Sequence, residues 1–384
     1  MGQGARRMAE LRLFYATNRN HLGNDRWHPD GYGKKFSDDG VENLRFGRLT
    51  VTVDAAKLNK HLETDCEPMG RGDGEGLIKY LSQCAESADI VAYREKIKRS
   101  ISEKHQANIK LGSQAAFSDL RGIMRKNTDV VLFIHGFNVS WTEAVGTALS
   151  LQEMLNHCPE RDAEQQVQVV LFTWPSDGMG LPFVSYKSDR SEAAGSGNAV
   201  GRGILKVRDF LASLRRQDEE LCKQDLHLLC HSMGNYLLQN ALERCDAFTP
   251  GNALPRLFEH IFLCAPDVDD TALEEGQPLW RINELARSVS VYYNRGDAAL
   301  VVSDYTKGNP DRLGSNGPAR PTHVHNKVHQ VDCTRIVKGL VEHSYYLVGN
   351  INADIRMSID GKPQDDPTRR RVRVGLMGHQ WEMR

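Results

Sequence analysis

Residues 226–235 read LHLLCHSMGN, and the fold follows from how this stretch is taken. An apolar run closes on a small turn, Cys230-His231-Ser232-Met233-Gly234, and helix-forming residues continue over 236–244. Strand, sharp turn and helix in that order put a serine on a strained bend. Its hydroxyl then projects outward, with the backbone N–H of Met233 facing the same space. The pattern is G-x-S-x-G with Cys230 in place of the first glycine. The plainer alternative for Ser232 is a helix N-cap.

Working outward, β-branched and apolar runs alternate with helical spacing on both sides of this stretch. Residues 128–134 run into HGFN at 135–138, a helix follows over 141–155, and residues 166–173 run into TWPSDG at 173–178. After a glycine-rich loop, a helix is expected over 199–214. Strands are expected again at 259–264 and 289–294. Such alternation builds a mostly parallel sheet with helices on both faces, whose chemistry gathers at the carboxyl ends of the strands. Upstream, residues 11–15 and 49–53 predict an N-terminal strand pair with a Gly-, Asp- and Asn-rich loop between them. Residues 54–127 read as a charged helical insertion or cap-like segment within a single domain over 1–384. The tail from Lys362 reads as a solvated terminus.

Composition bounds the function classes. The 384 residues carry a formal charge of -1, 40% hydrophobic and 26% charged side chains, which gives no overall bias toward nucleic acid or membrane. The basic run at 96–110 has no interleaved aromatics and reads as a solvated helix face. Eight cysteines without C-x-x-C pairs suit a reducing compartment. No apolar run is long enough to span a bilayer, and MGQGAR lacks the Ser or Thr of a myristoylation signal. The expectation is a cytoplasmic protein.

A serine is a poor nucleophile until a base takes its proton, and the base needs an acceptor to fix its tautomer. Asp297, in VYYNRGDAAL, follows a strand by a short turn and is the preferred acid; Asp267, in CAPDVDD, is the alternative. Either could instead cap a helix. Among the late histidines, His343 in VEHSYYLVG is the preferred base, over His323, His325 and His329. Those three could be read as a metal site, since two histidines at i and i+2 on a strand share a face. No carboxylate or cysteine stands at ligand spacing, however, and a pair of surface histidines is the plainer reading, so no metal and no cofactor is expected. The turn His135-Gly136-Phe137-Asn138 supplies the second oxyanion donor, Phe137 N–H, beside that of Met233. Its plain alternative is an ordinary turn with Asn138 bonded to its own backbone.

Taken together, FYATNR at 14–19, HGFN at 135–138, WPS at 174–176, Tyr186, Asp189, HSMGN at 231–235, APDVD at 265–269, NRGDAAL at 294–300 and HSYY at 343–346 resemble a bacterial α/β-hydrolase family. That family comprises esterase- and lipase-like hydrolases of unassigned function. The resemblance runs from Leu11 to Asp354 and is weakest over 54–112. It implies Ser232 as nucleophile, Asp297 as acid, His343 as base, and Phe137 and Met233 as oxyanion donors. The departure at Cys230, where the family commonly has alanine or glycine, does not touch the chemistry. The implied activity is cleavage of carboxylic esters, on a small-molecule or lipid-like substrate, through an acyl-enzyme. Amide or thioester cleavage would use the same residues. A different class of function is a non-catalytic scaffold that binds a protein partner through 54–127.

Overall fold

In the computed structural model, the residues described are 7–65, 74–95, 110–126, 128–157, 165–176, 182–216, 224–249, 251, 253–300, 311–337, 343–347, 349–375 and 378–384. The glycine-rich loop at 177–181, most of the basic run at 96–110 and the end of the apolar run before His343 lie outside them. Cys66, Cys158 and Cys222 do too.

The chain opens with β1 (Met8–Thr17), the hairpin β2 (Arg19–Leu22) and β3 (Gly31–Phe36), then β4 (Arg45–Asp54). Helices α1 (Ala55–Asp65) and α2 (Glu75–Ala85), strand β5 (Asp89–Ala92) and helix α3 (Gly112–Met124) follow. The alternating core is β6 (Thr128–Ile134), α4 (Trp141–His157), β7 (Gln166–Thr173), α5 (Pro182–Arg216), β8 (Leu226–His231), α6 (Met233–Ala247), β9 (Phe258–Cys264) and β10 (Ala286–Tyr293). After β11 (Val328–Asp332) come α7 (Gly349–Ile359) and the terminal strands β12 (Arg371–Val374) and β13 (Gln380–Met383).

One sheet has the order β12-β13-β11-β10-β9-β8-β6-β7-β1-β4-β5. From β13 through β1 every neighbouring pair in that order is parallel, while β12, β4 and β5 pair antiparallel at the two ends. Central strands buried on both faces explain the unbroken apolar runs that mark them in the sequence. Side chains of α1, α2, α4 and α7 join one apolar cluster, and those of α3, α5 and α6 join the other, on the opposite face of the sheet. The order reverses around β6, which lies between β7 and β8. The carboxyl ends of β6 and β8 therefore flank the crevice where α/β sheets place their chemistry.

Four expectations need correction. The polar stretch between β1 and β4 is a hairpin, not a loop. It is anchored by the buried Arg19, which donates to Val139 O at 2.6 Å, Thr173 Oγ1 at 3.0 Å and Gly33 O at 3.0 Å. The helix expected at 199–214 begins at Pro182. Its glycines look like breakers but permit close packing: a Cβ on Gly197 would lie 2.5 Å from Asn240 Cβ, and one on Gly201 would lie 2.9 Å from Ala241 O. They bring α5 against α6. Over 54–127 the described residues form α1, α2 and α3, but residues 89–92, read as helical, form β5, which pairs with β4 at the sheet edge. The tail from Lys362 is not a solvated terminus. It adds β12 and β13 to the sheet and inserts Arg369 and Arg371 beside the buried Asp354, at 2.8 Å and 3.2 Å.

Candidate active site

Strand β8 delivers Ser232 into a backbone conformation that L-residues rarely adopt, with φ 53° and ψ −125°. Strain of this kind costs about 1–3 kcal/mol and persists only where surrounding bonds over-determine it. Those bonds are present. Ser232 N–H donates to Cys264 O at 3.0 Å, while Ser232 O accepts from Asp267 N–H at 3.2 Å and from Asn235 Nδ2 at 3.0 Å. Behind the turn, a Cβ on Gly234 would stand 2.7 Å from the carbonyl oxygens of both Ile134 and His135, so α6 starts hard against the end of β6. Met233 heads that helix, where backbone N–H groups have no intrahelical acceptor. Cys230 is fully buried, and burial raises its thiol pKa well above the usual range.

The turn after β6 closes over the serine. A Cβ on Gly136 would lie 2.7 Å from Ser232 Cβ and 3.3 Å from His231 Nδ1, so only glycine fits. Asn138 has φ 54°, and its N–H reaches Asp189 Oδ2 at 3.2 Å. Tyr186, one turn earlier on α5, packs its ring 5.7 Å from that of Phe137.

The two preferred titratable partners meet across 46 residues of sequence: His343 Nδ1 lies 2.7 Å from Asp297 Oδ2. Asp297 is fully buried, and His343 keeps 21% of its side chain exposed. Asp297 is held on its own turn, where its N–H donates to Asn294 O and Ala299 N–H donates to Asp297 Oδ1, both at 3.1 Å. His343 lies against the residue that precedes the serine. Its ring is 4.7 Å from that of His231, and His231 Nε2 donates to His343 O at 3.1 Å. Burial, followed by the nearby His343, lowers the His231 pKa well below 6.5 and keeps its ring neutral.

Asp267 is otherwise engaged. Its Oδ1 lies 3.3 Å from Nε of the fully buried Arg312, and its Oδ2 accepts from Tyr186 O–H at 2.7 Å. Arg312 also reaches Asp269 at 2.6 Å. No sequence signal singled out Arg312. The three remaining histidines do not share a strand face: His323 lies in a single 3-10 turn and His325 beyond it, both exposed, while His329 lies in β11. His329 is half-buried. Burial, then Arg371, pushes its pKa down to about 3, and its Nδ1 accepts from Trp381 Nε1 at 3.4 Å. Among the described residues no group of His, Cys, Asp and Glu could hold a metal ion. No disulfide forms among the described cysteines, and no described helix is long and apolar enough to cross a membrane. An apolar cavity of about 270 Å³ lies elsewhere, between the sheet and helices α3 and α5, and Ser232, Asp297 and His343 do not line it.

Among solved structures, the chain is similar to phospholipase PlaB from Legionella pneumophila in complex with thio-NAD, with 17% identity over 54% of this chain and 38% of that one and a TM-score of 0.21. It is similar also to Aspergillus fumigatus lipase B, with 13% identity over 63% of this chain and 51% of that one and a TM-score of 0.25. The chain thus spans about half or less of the length of these structures. No curated protein sequence matches it. Residues 113–354 match the family described as alpha/beta hydrolase of unknown function (DUF900). The match covers every residue of the strained serine turn, the glycine turn beside it and the Asp297–His343 pair, and the chain belongs to that family of alpha/beta hydrolases.

Proposed function

We propose that the protein is a serine hydrolase that cleaves carboxylic esters of small-molecule or lipid-like substrates through an acyl-enzyme. The observation that carries the reading is the 2.7 Å bond between His343 Nδ1 and the fully buried Asp297, made where His343 packs against the residue preceding a strained serine. A buried carboxylate on Nδ1 leaves Nε2 as the nitrogen that exchanges protons with the serine. Ser232 Oγ attacks the ester carbonyl carbon while its proton passes to His343 Nε2. The carbonyl oxygen takes the negative charge, facing the N–H groups of Phe137 and Met233. Collapse of this intermediate breaks the bond to the alcohol oxygen, which leaves with the proton from His343. Water then attacks the acyl-serine by the same route, releasing the acid and restoring Ser232. Backbone donors set in a closed turn are worth more here than in water, because they need no reorganisation as charge develops.

Fluorophosphonate labelling tests the reading. Wild-type protein should be labelled at Ser232, and Ser232→Ala should lose both labelling and hydrolysis of p-nitrophenyl esters, by several orders of magnitude, while its thermal unfolding stays close to wild type. Wild-type protein that neither labels nor hydrolyses any ester of a chain-length series would leave the fold to serve as a binding scaffold.

A further inference from the structure

Resting on the assignment of Phe137 N–H as an oxyanion donor, the contacts around the glycine turn show what aims that donor. A trans peptide is planar, with C=O and N–H pointing in opposite directions. The peptide that carries Phe137 N–H also carries Gly136 O, so whatever pins this oxygen aims the N–H. Two groups pin it: Ser176 Oγ donates to Gly136 O at 2.8 Å, and His135 Nδ1 reaches it at 2.9 Å. The histidine's tautomer follows from its other side. Trp174 N–H, which can only donate, points at His135 Nε2 at 3.3 Å, so the ring proton is on Nδ1. Burial, then the charge of Arg19, pushes the His135 pKa down to about 3, so the ring is neutral with Nδ1–H donating.

Ser176 is fully buried, and it holds the turn a second time, because its own carbonyl accepts Val139 N–H at 2.6 Å. The turn 136–139 is thereby clasped at both ends by a single residue. Between these two points Asp189 Oδ2 takes Asn138 N–H, at the residue with positive φ. We propose that Ser176 is a positioning residue of the oxyanion site, its hydroxyl locking the Gly136–Phe137 peptide plane so that Phe137 N–H points toward the reacting carbonyl oxygen.

The experiment compares wild type with Ser176→Ala in the full chain. Active sites are first counted by fluorophosphonate labelling, so that all rates refer to folded, reactive protein. The backbone clasp to Val139 survives this substitution, and thermal unfolding should shift little. Per labelled site, kcat on a p-nitrophenyl ester should fall about ten-fold or more with KM within about two-fold, as expected when an interaction made mainly in the transition state weakens. A trifluoromethyl ketone forms a hemiketal with the serine and places an oxyanion in the same position. Its Ki should rise by the same factor as kcat/KM falls. Ser176→Thr, which keeps the hydroxyl, should restore most of both. A purely structural role would lower the count of labelled sites and leave the Ki per site unchanged, and that result overturns the proposal. Wild type labelled at Ser232 with Ser176→Ala unaltered in kcat and Ki removes this inference alone; wild type without labelling removes the ester-hydrolase reading together with it.

Discussion

Replacing His227 by Phe should stabilise the protein, and the gain should grow as pH falls. His227 lies on β8 with no exposed surface, its ring stacked nearly parallel on that of His260 at 5.5 Å, and neither of its nitrogens has a hydrogen-bonding partner among the described residues. A buried polar atom left unsatisfied costs about 1–3 kcal/mol. Phenylalanine keeps the stack and removes both nitrogens, so the variant should be more stable at pH 7.5 by about that amount. Burial, then the neighbouring His260 and Arg356, holds the His227 pKa well below 6.5. With its folded-state pKa lowered, His227 takes up a proton in the unfolded chain at a pH where the folded ring is still neutral. The unfolded state therefore binds more protons, and stability falls with falling pH below about 6.5. While the folded ring stays neutral, His227 lowers wild-type stability as pH falls below about 6.5, at a limiting slope of about 1.4 kcal/mol per pH unit. The variant escapes this term. Urea unfolding followed by tryptophan fluorescence at pH 7.5, 6.5, 5.5 and 4.5 would measure the widening gap. Equal pH slopes for the two proteins, or a variant less stable than wild type at pH 7.5, would refute the reasoning.

The acid assignment is tested by a pair of substitutions: Asp297→Asn should lower kcat by roughly 10⁴-fold, because an amide favours the wrong tautomer of His343. Asp267→Asn should act on stability, since its carboxylate is engaged by Arg312 and Tyr186, and the reverse ranking in an ester assay would move the acid to Asp267. Asp354→Ala should cost about 3–5 kcal/mol by leaving Arg369 and Arg371 buried without their carboxylate. Limited proteolysis should then cut within 361–370 under conditions where wild type resists, and a variant with an unchanged urea midpoint would contradict the importance given to this cluster.

The legible parts of the chain were those whose local pattern has only one structural solution. An apolar run into a glycine-bounded serine reads as strand, turn and helix at 226–247, and the placement of Asp297 after a strand was visible from chain order. The misread parts share a cause: small or polar residues were taken as solvent-facing when their purpose is contact. Gly197 looks like a loop former, but it lets α5 approach the backbone of α6. Arg369 and Arg371 look like a solvated tail, but they are drawn inward by Asp354, a partner too far along the chain to be read from spacing. Arg19 likewise looks like a surface residue of a polar loop until Val139 and Thr173 come within reach. A local pattern carries the sign of a side chain but not the address of its partner.

The proposed choice of Asp297 over Asp267 as the acid has a geometric reason in the sheet itself. Ser232 follows β8, Asp267 follows β9 and Asp297 follows β10, and these three strands are consecutive neighbours. Adjacent strands lie about 4.8 Å apart, so a carboxylate after β9 begins roughly 5 Å from Ser232 and one after β10 roughly 10 Å. An imidazole set between serine and carboxylate needs its own width plus two hydrogen bonds of about 3 Å each. The nearer position leaves no room for it, and there Asp267 supports the serine instead, through its backbone N–H on Ser232 O. The farther position does leave room. His343, arriving from beyond β11, enters that space with Nδ1 on Asp297 and its ring against His231. Strand order thus sets the spacing that chain order only suggested, and a histidine delivered in the connection after β11 is the element that can fill it.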